Sequence, residues 1–85
     1  MQHLDGNVLA GPLAQLFAFE PTTASARCSG CGAVAMLAAA SVWVDAQRYV
    51  VRCADCDSVL ATLVIGDDRT WISLSGISAL EVPRP

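Results

Sequence analysis

The 85-residue chain contains no lysine, and its five arginines are outnumbered by eight acidic residues, which gives a net charge of −3. So few cations exclude the broad basic surface with which nucleic-acid-binding proteins contact phosphates. The single histidine, His3, leaves no Cys-His pair or Ser-His-Asp triad. There is no glycine-rich phosphate loop, and no apolar run approaches the ~20 residues that span a bilayer. We therefore expect neither an enzyme nor a membrane protein.

Four cysteines form two Cys-x-x-Cys pairs, Cys28/Cys31 and Cys53/Cys56, with 21 residues between the pairs. No signal-peptide pattern precedes them, so we expect a cytoplasmic location, where thiols remain reduced. In that setting, paired Cys-x-x-Cys motifs indicate a metal site rather than two disulfides.

Two such turns can enclose one cation with four thiolates, which is the geometry of a closed zinc site. A catalytic zinc ion keeps one position open for water, and four cysteines leave none. We predict a structural Zn²⁺ held by all four cysteines. Iron in a rubredoxin-like electron carrier uses the same ligands and is the alternative. Gly32 matches the glycine that follows the second cysteine in such carriers, whereas Asp57 does not.

The length predicts a single domain over residues 1–85, and a domain of this size buries only about 60% of the surface that its unfolded chain exposes. A structural zinc ion would supply the stability that so small a core lacks. The hydrophobic fraction is 54% and the mean hydropathy is +0.50. This excess predicts uncovered apolar surface, which usually marks contact with another protein or self-association.

The N-terminal region, residues 1–20, is predicted to form a helical arm. Its apolar residues recur at i, i+4, i+7 and i+8, which places them in one stripe of a helix from about residue 7 to 18, distorted at Pro12. Asp5 or Asn7 is a candidate N-cap. The stripe is interpreted either as part of the core or as a partner-binding surface, and it consists of Leu9, Leu13, Leu16 and Phe17.

The alternating apolar residues and turn residues of the remaining chain predict antiparallel strands. The expected class is therefore α+β, a small zinc ribbon preceded by the helical arm. The ribbon covers residues 24–57, additional strands cover 58–82, and 83–85 form a loose tail. Residues 33–40 favour helix by propensity, although a ribbon requires a strand over about 36–44. The other predicted strands are 24–27, 48–52, 58–65, 70–75 and 77–82.

Arg27 and Arg52 each precede a cysteine, and we expect them to offset the negative charge of the thiolates. Together with Arg48 and the aromatic residues Trp43 and Tyr49, they also leave open a nucleic-acid-binding ribbon.

Residues 5–13 (DGNVLAGPL), 27–32 (RCSGCG) and 52–56 (RCADC) resemble a family of small actinobacterial proteins of unknown function, and the likeness runs over nearly the whole chain. The resemblance implies no activity. It implies an accessory subunit of a redox assembly, with a flavin-dependent reductase or a molybdopterin oxidoreductase as the partner.

We therefore expect a non-enzymatic zinc-ribbon protein that acts as a protein-binding or scaffold subunit. The alternatives are a nucleic-acid-binding ribbon of the transcription or translation machinery and an iron-containing, rubredoxin-like electron carrier.

Overall fold

The computed structural model describes residues 2–11 and 23–83, which form short strands and two 3-10 helices. The 3-10 helices are Gly6–Leu9 and Leu37–Ala39. The strands are β1 (Gln2–Asp5), β2 (Ser25–Cys28), β3 (Val34–Met36), β4 (Ser41–Asp45), β5 (Arg48–Arg52), β6 (Val59–Ile65), β7 (Thr70–Ser73) and β8 (Ile77–Glu81).

These strands form two sheets in which every neighbouring pair is antiparallel. The larger sheet has the order β1-β4-β5-β6-β7, and the smaller one has the order β3-β2-β8. The first cysteine turn joins β2 to β3 in the smaller sheet, and the second joins β5 to β6 in the larger sheet. Each sheet therefore contributes one of the two turns.

The predicted α+β class is wrong, because the described residues are dominated by antiparallel sheet and carry no N-terminal helical arm. Residues 2–5 form β1, which pairs with β4, and a 3-10 helix follows directly. Pairing with a strand almost forty residues away overrides the local helical pattern. Asp5 does act as a cap, since its side chain accepts a hydrogen bond from the Asn7 N–H. Ala10 and Gly11 have helical backbone, and the rest of the predicted arm, 12–20, lies outside the described residues.

The single strand predicted over 36–44 is also wrong. The chain ends β3 at Met36, makes one 3-10 turn and begins β4 at Ser41. The turn allows the chain to leave the smaller sheet and enter the larger one. Leu37 anchors the turn, since its side chain is buried and its N–H donates to the Ala24 carbonyl. The helical propensity of this alanine-rich segment is thus expressed as one short turn.

The other predicted strands lie close to those observed. Alternation along the larger sheet separates its faces: Val42, Val51 and Ala61 are cross-strand neighbours and are buried. Trp43 and Val50 point to the opposite face, where they are half-buried. Local alternation and turn residues were therefore sufficient to find β5, β6, β7 and β8.

The core consists of two groups of small and medium apolar side chains. Ile77, on β8, packs against both groups and so links the two sheets. The larger group is Leu9, Cys28, Ala40, Val42, Val51, Cys53, Leu60, Ala61 and Leu63, and the smaller is Ala24, Ala26 and Leu37. Leu9 is fully buried, so this member of the predicted stripe packs within its own chain.

Gly6 permits the close approach of the two 3-10 helices. A methyl group at this position would lie 1.6 Å from the Leu37 carbonyl oxygen and 2.9 Å from the Ala38 Cα. Both atoms belong to the backbone, so the contact cannot be relieved by a side-chain rotation.

We expect Gly6→Ala to lower the free energy of unfolding by about 2 kcal/mol or more, because overpacking against backbone forces the two turns apart. The matched control is Gly11→Ala, because nothing lies within 4 Å of the methyl group it adds. The control should change the stability by less than about 0.5 kcal/mol. Urea unfolding of the metal-loaded protein measures both, and equal effects would contradict the described packing.

Candidate metal centre

The first cysteine turn leaves β2 at Cys28 and returns to β3. The Cys28 N–H donates to the Ala33 carbonyl at 2.9 Å, and the Gly32 N–H donates to the Cys28 carbonyl at 2.9 Å. A third N–H, from Gly30, points at the Cys28 sulfur at 3.3 Å. These bonds close a compact turn in which both thiols face the same side.

The second cysteine turn, between β5 and β6, repeats this pattern at equivalent positions. The Cys53 N–H donates to the Ser58 carbonyl at 2.8 Å, and the Asp57 N–H donates to the Cys53 carbonyl at 2.9 Å. The residue after the second cysteine has left-handed backbone in both turns, with φ of 78° at Gly32 and 64° at Asp57. Aspartate tolerates this conformation better than most residues, so the missing glycine does not alter the turn.

The two turns bring all four predicted cysteines together. Their sulfur atoms lie within 4.8 Å of one another. The Cys28–Cys56 and Cys31–Cys53 sulfur distances are 3.6 and 3.7 Å. A tetrahedral ion with bonds of about 2.3 Å to sulfur separates its ligands by about 3.8 Å, so the donor set fits a four-coordinate metal ion.

The cluster lies half inside the protein. Cys28 and Cys53 are buried members of the core, whereas Cys31 and Cys56 are exposed. A metal ion at this position would therefore rest on the core with one pair of ligands and face the surface with the other.

The two exposed thiols have opposite electrostatic environments. Hydrogen bonds with the Ser58 hydroxyl and backbone lower the pKa of Cys56 from 9.0 to about 6. At Cys31 the largest influence, the hydrogen bond with the Ala33 backbone, lowers the pKa. The neighbouring thiols, Cys56 first, and desolvation together outweigh it and raise the pKa to about 12. The Cys56 thiol therefore loses its proton more readily than the Cys31 thiol. Metal binding through thiolates displaces the protons that remain on the sulfurs.

Gly76 ties the first cysteine turn to the larger sheet. Its carbonyl accepts hydrogen bonds from the Ser29 N–H at 2.9 Å and the Ser29 hydroxyl at 3.0 Å, while its own N–H donates to the Leu60 carbonyl at 3.0 Å. A methyl group at Gly76 would lie 1.8 Å from the Val59 oxygen. The isolated position of Gly76 between two predicted strands was the available signal in the sequence for such a close backbone approach.

The arginines near the cysteines differ in their contacts. Arg52 donates to the Asp57 carbonyl at 3.1 Å and lies 3.9 Å from its carboxylate, so it braces the second turn. Arg27 is exposed and forms no ion pair within the described residues. Ser58, which contacts the Cys56 sulfur at 3.2 Å, was not singled out from the sequence.

The remaining candidate residues lie away from the cysteines or outside the described ranges. His3, the single histidine, stacks on Trp43 with 4.5 Å between ring centroids and is hydrogen-bonded to the Ser41 hydroxyl. Leu13, Leu16 and Phe17 lie outside the described residues, so their contact with a partner stays a prediction.

The chain is thus a small β-sheet protein in which two hairpin turns bring four thiols together in a candidate metal-binding site. It belongs to the family of unknown function DUF6510, whose model matches residues 1–85. No curated protein and no solved structure matches the chain significantly. Among the described residues, no helix is long and apolar enough to cross a membrane.

The left-handed backbone at Asp57 generates a prediction. Asp57→Gly and Asp57→Ala both remove the carboxylate. Left-handed backbone costs an alanine roughly 1–2 kcal/mol of conformational energy, whereas glycine adopts it without this cost. We expect the metal-loaded Asp57→Gly protein to be more stable than Asp57→Ala by about 1 kcal/mol in urea unfolding. Equal stabilities would show that this backbone conformation does not constrain the second turn.

Proposed function

We propose that the four cysteines bind one Zn²⁺ and that this ion is structural. The observation that carries the proposal is the convergence of four sulfurs within 4.8 Å of one another, with two of the pairs 3.6 and 3.7 Å apart. Four thiolates complete the coordination of zinc and leave no position for water or a substrate. The ion would supply the tie between hairpins of two different sheets.

The modest size of the core supports a structural role for the metal. The largest fully buried side chains of the described residues are Leu9, Leu63, Val42 and Val51, and no aromatic residue is among them. Zinc binding in small domains contributes roughly 10–16 kcal/mol, which becomes folding free energy. This contribution is comparable to the whole stability of an ordinary domain, about 5–15 kcal/mol.

The test replaces one ligand and one neighbour with the same side chain. Cys56→Ser removes a sulfur, whereas Ala54→Ser changes an exposed, non-ligating position of the same turn. We expect elemental analysis to find one zinc per chain in the parent protein and in Ala54→Ser, and a loss of zinc and of thermal stability in Cys56→Ser. Stoichiometric iron and a red colour would instead establish the electron-carrier alternative.

We further propose that the chain is a non-enzymatic, protein-binding or scaffold subunit. Apolar side chains that a monomer leaves in water support this role. Trp71 is 65% exposed, Val34 is 56% exposed and Met36 is 49% exposed. Exposed apolar groups of this size usually mark contact surfaces.

The polar groups favour binding over catalysis. Among the described residues, His3 and Ser41 form the one hydrogen bond between a histidine and a serine. No carboxylate of the described residues is hydrogen-bonded to this imidazole to orient it. A catalytic triad requires that third group. The pair instead connects β1 to β4, since His3 and Ser41 lie on these adjacent strands.

The charges favour a protein partner over nucleic acid. Binding Zn²⁺ through four thiolates changes the net charge from −3 to −3 − 4 + 2 = −5. Arg52 is engaged by the second turn, and Arg69 lies 3.4 Å from the Asp68 carboxylate. Few cations of the described residues are therefore available for phosphate contacts.

The partner suggested by the family resemblance is a flavin-dependent reductase or a molybdopterin oxidoreductase. We expect the tagged, zinc-loaded chain to co-purify from its native host in a complex of fixed stoichiometry that survives gel filtration. The absorption spectrum of the complex would reveal a flavin or a molybdopterin. Repeated recovery of the chain without any other protein would contradict a role as a subunit of a larger assembly.

A further inference from the structure

The edge strand β7 has an open side. Within the part of the chain that the structure describes, it pairs with β6 and forms no ladder on its other side. The backbone groups on that side can be located from two hydrogen bonds: the Ile65 N–H points toward β5, at Gln47, and the Gly66 N–H points toward the β7 side, at Arg69.

The direction of the backbone groups alternates along an antiparallel strand. Val64 therefore points toward β7 and exchanges hydrogen bonds with its partner Trp71. The neighbouring residues of β7, Thr70 and Ile72, must then direct their N–H and C=O groups away from β6. Two residues of β7 thus present both a donor and an acceptor to the open edge.

Apolar side chains surround this open edge on both faces of the sheet. Trp71 lies on the same face as Val64, its cross-strand partner, which is also exposed. Ile72 lies on the opposite face beside buried Leu63, yet it remains 39% exposed. Leu74, directly after the strand, is 42% exposed. Free backbone groups flanked by apolar side chains form a template for an added strand.

The other open edges of the two sheets carry the features that discourage strand addition. β1 includes Asp5 and β8 includes Glu81, followed by Pro83, and charges and proline protect an edge. β3 has three residues and ends directly in a 3-10 helix. β7 combines four residues with no charge and no proline.

We propose that β7 pairs antiparallel with β7 of a second copy of this chain, so that two five-stranded sheets become one continuous sheet across a two-fold axis. This deepens the protein-binding function proposed above by naming one surface and its occupant. In this pairing Thr70 of each copy exchanges two backbone hydrogen bonds with Ile72 of the other copy. The register places Trp71 opposite Trp71 of the second copy, at a non-hydrogen-bonded position where side chains are closest.

The charges beside β7 favour a second copy in the antiparallel orientation. Asp67, Asp68 and Arg69 all precede the strand. A two-fold axis through Trp71 places the two sets at opposite ends of the new ladder, with Arg69 beside Ser73 of the second copy. Parallel pairing would instead bring the two aspartate pairs together. The two-fold pairing is self-complementary and closes at two copies.

The test uses the full-length, zinc-loaded chain in sedimentation equilibrium from micromolar to millimolar concentration. We expect a monomer–dimer equilibrium with a dissociation constant on the order of 1–100 μM, as small interfaces usually give. The amide exchange of Thr70 and Ile72 should slow as the dimer forms. The paired Trp71 side chains should add an exciton-coupled circular dichroism signal that disappears on dilution.

Two pairs of variants assign the dimer to β7. Thr70→Pro removes an outward-pointing N–H without breaking a bond to β6, and Thr70→Val keeps that N–H. Trp71→Lys places a charge opposite its own copy, and Val82→Lys adds the same charge at an apolar site that is 40% exposed and lies directly after β8, in the other sheet. The first member of each pair should weaken association at least tenfold, and the second should change it less than twofold, with one zinc per chain throughout.

Three results would overturn the β7 pairing: a zinc-loaded monomer at millimolar concentration, a dimer insensitive to Thr70→Pro and Trp71→Lys, or a dimer disrupted by Val82→Lys. None of these results would contradict the proposed zinc site or the proposed binding of a different protein. A protein that folds without metal would contradict the structural role of zinc and leave the dimer assay unchanged. The two failures are therefore distinguishable.

Discussion

One cluster of four cysteines brings together two hairpins from two different sheets, and on the proposed account the fold depends on the ion that this cluster would hold. The β2–β3 turn contributes one pair of sulfurs, the β5–β6 turn contributes the other, and no disulfide links them. The side chains between the sheets are small, and Ile77 is the residue that packs against both core groups. Ordering each residue costs roughly 1–2 kcal/mol of backbone entropy, and a small core offsets little of that cost. A bound metal ion that fixes four side chains at once would therefore add much of the stability of the fold.

The two cysteine turns are equivalent in geometry although their sequences differ. Each has the same pair of backbone hydrogen bonds and the same left-handed residue after the second cysteine. Glycine fills this position in the first turn and aspartate in the second. The backbone conformation, rather than the identity of the residue, is therefore what the site requires, and a search for glycine alone would miss the second turn.

Sequence reasoning located the four cysteines, the hairpins of β5, β6 and β7, and the separate strand β8, because all of them follow from local patterns of spacing and alternation. It failed for the N-terminal arm, since β1 is stabilised by pairing with β4, a distant strand that the local pattern does not reveal. It also missed Gly76, whose role arises from contacts with Ser29 and Leu60, far away in the chain. Local order was predictable, whereas contacts between distant segments required the structure.

Four thiolates would close the coordination of the proposed ion, so a binding function would lie on the outer surfaces. The most exposed large apolar side chain of the described residues, Trp71, lies on an open sheet edge rather than near the cysteines. On the proposed account, recognition of another protein would require an ion that keeps the two sheets in place. Stability and binding would then be lost together when the metal is removed.

The most direct test is a zinc titration of the metal-free chain, followed by two-dimensional amide NMR. The account predicts a collapsed, poorly dispersed spectrum without metal and a dispersed β-sheet spectrum that grows in proportion to zinc and saturates at one ion per chain. A well-dispersed spectrum of the metal-free chain, unchanged by zinc, would contradict it.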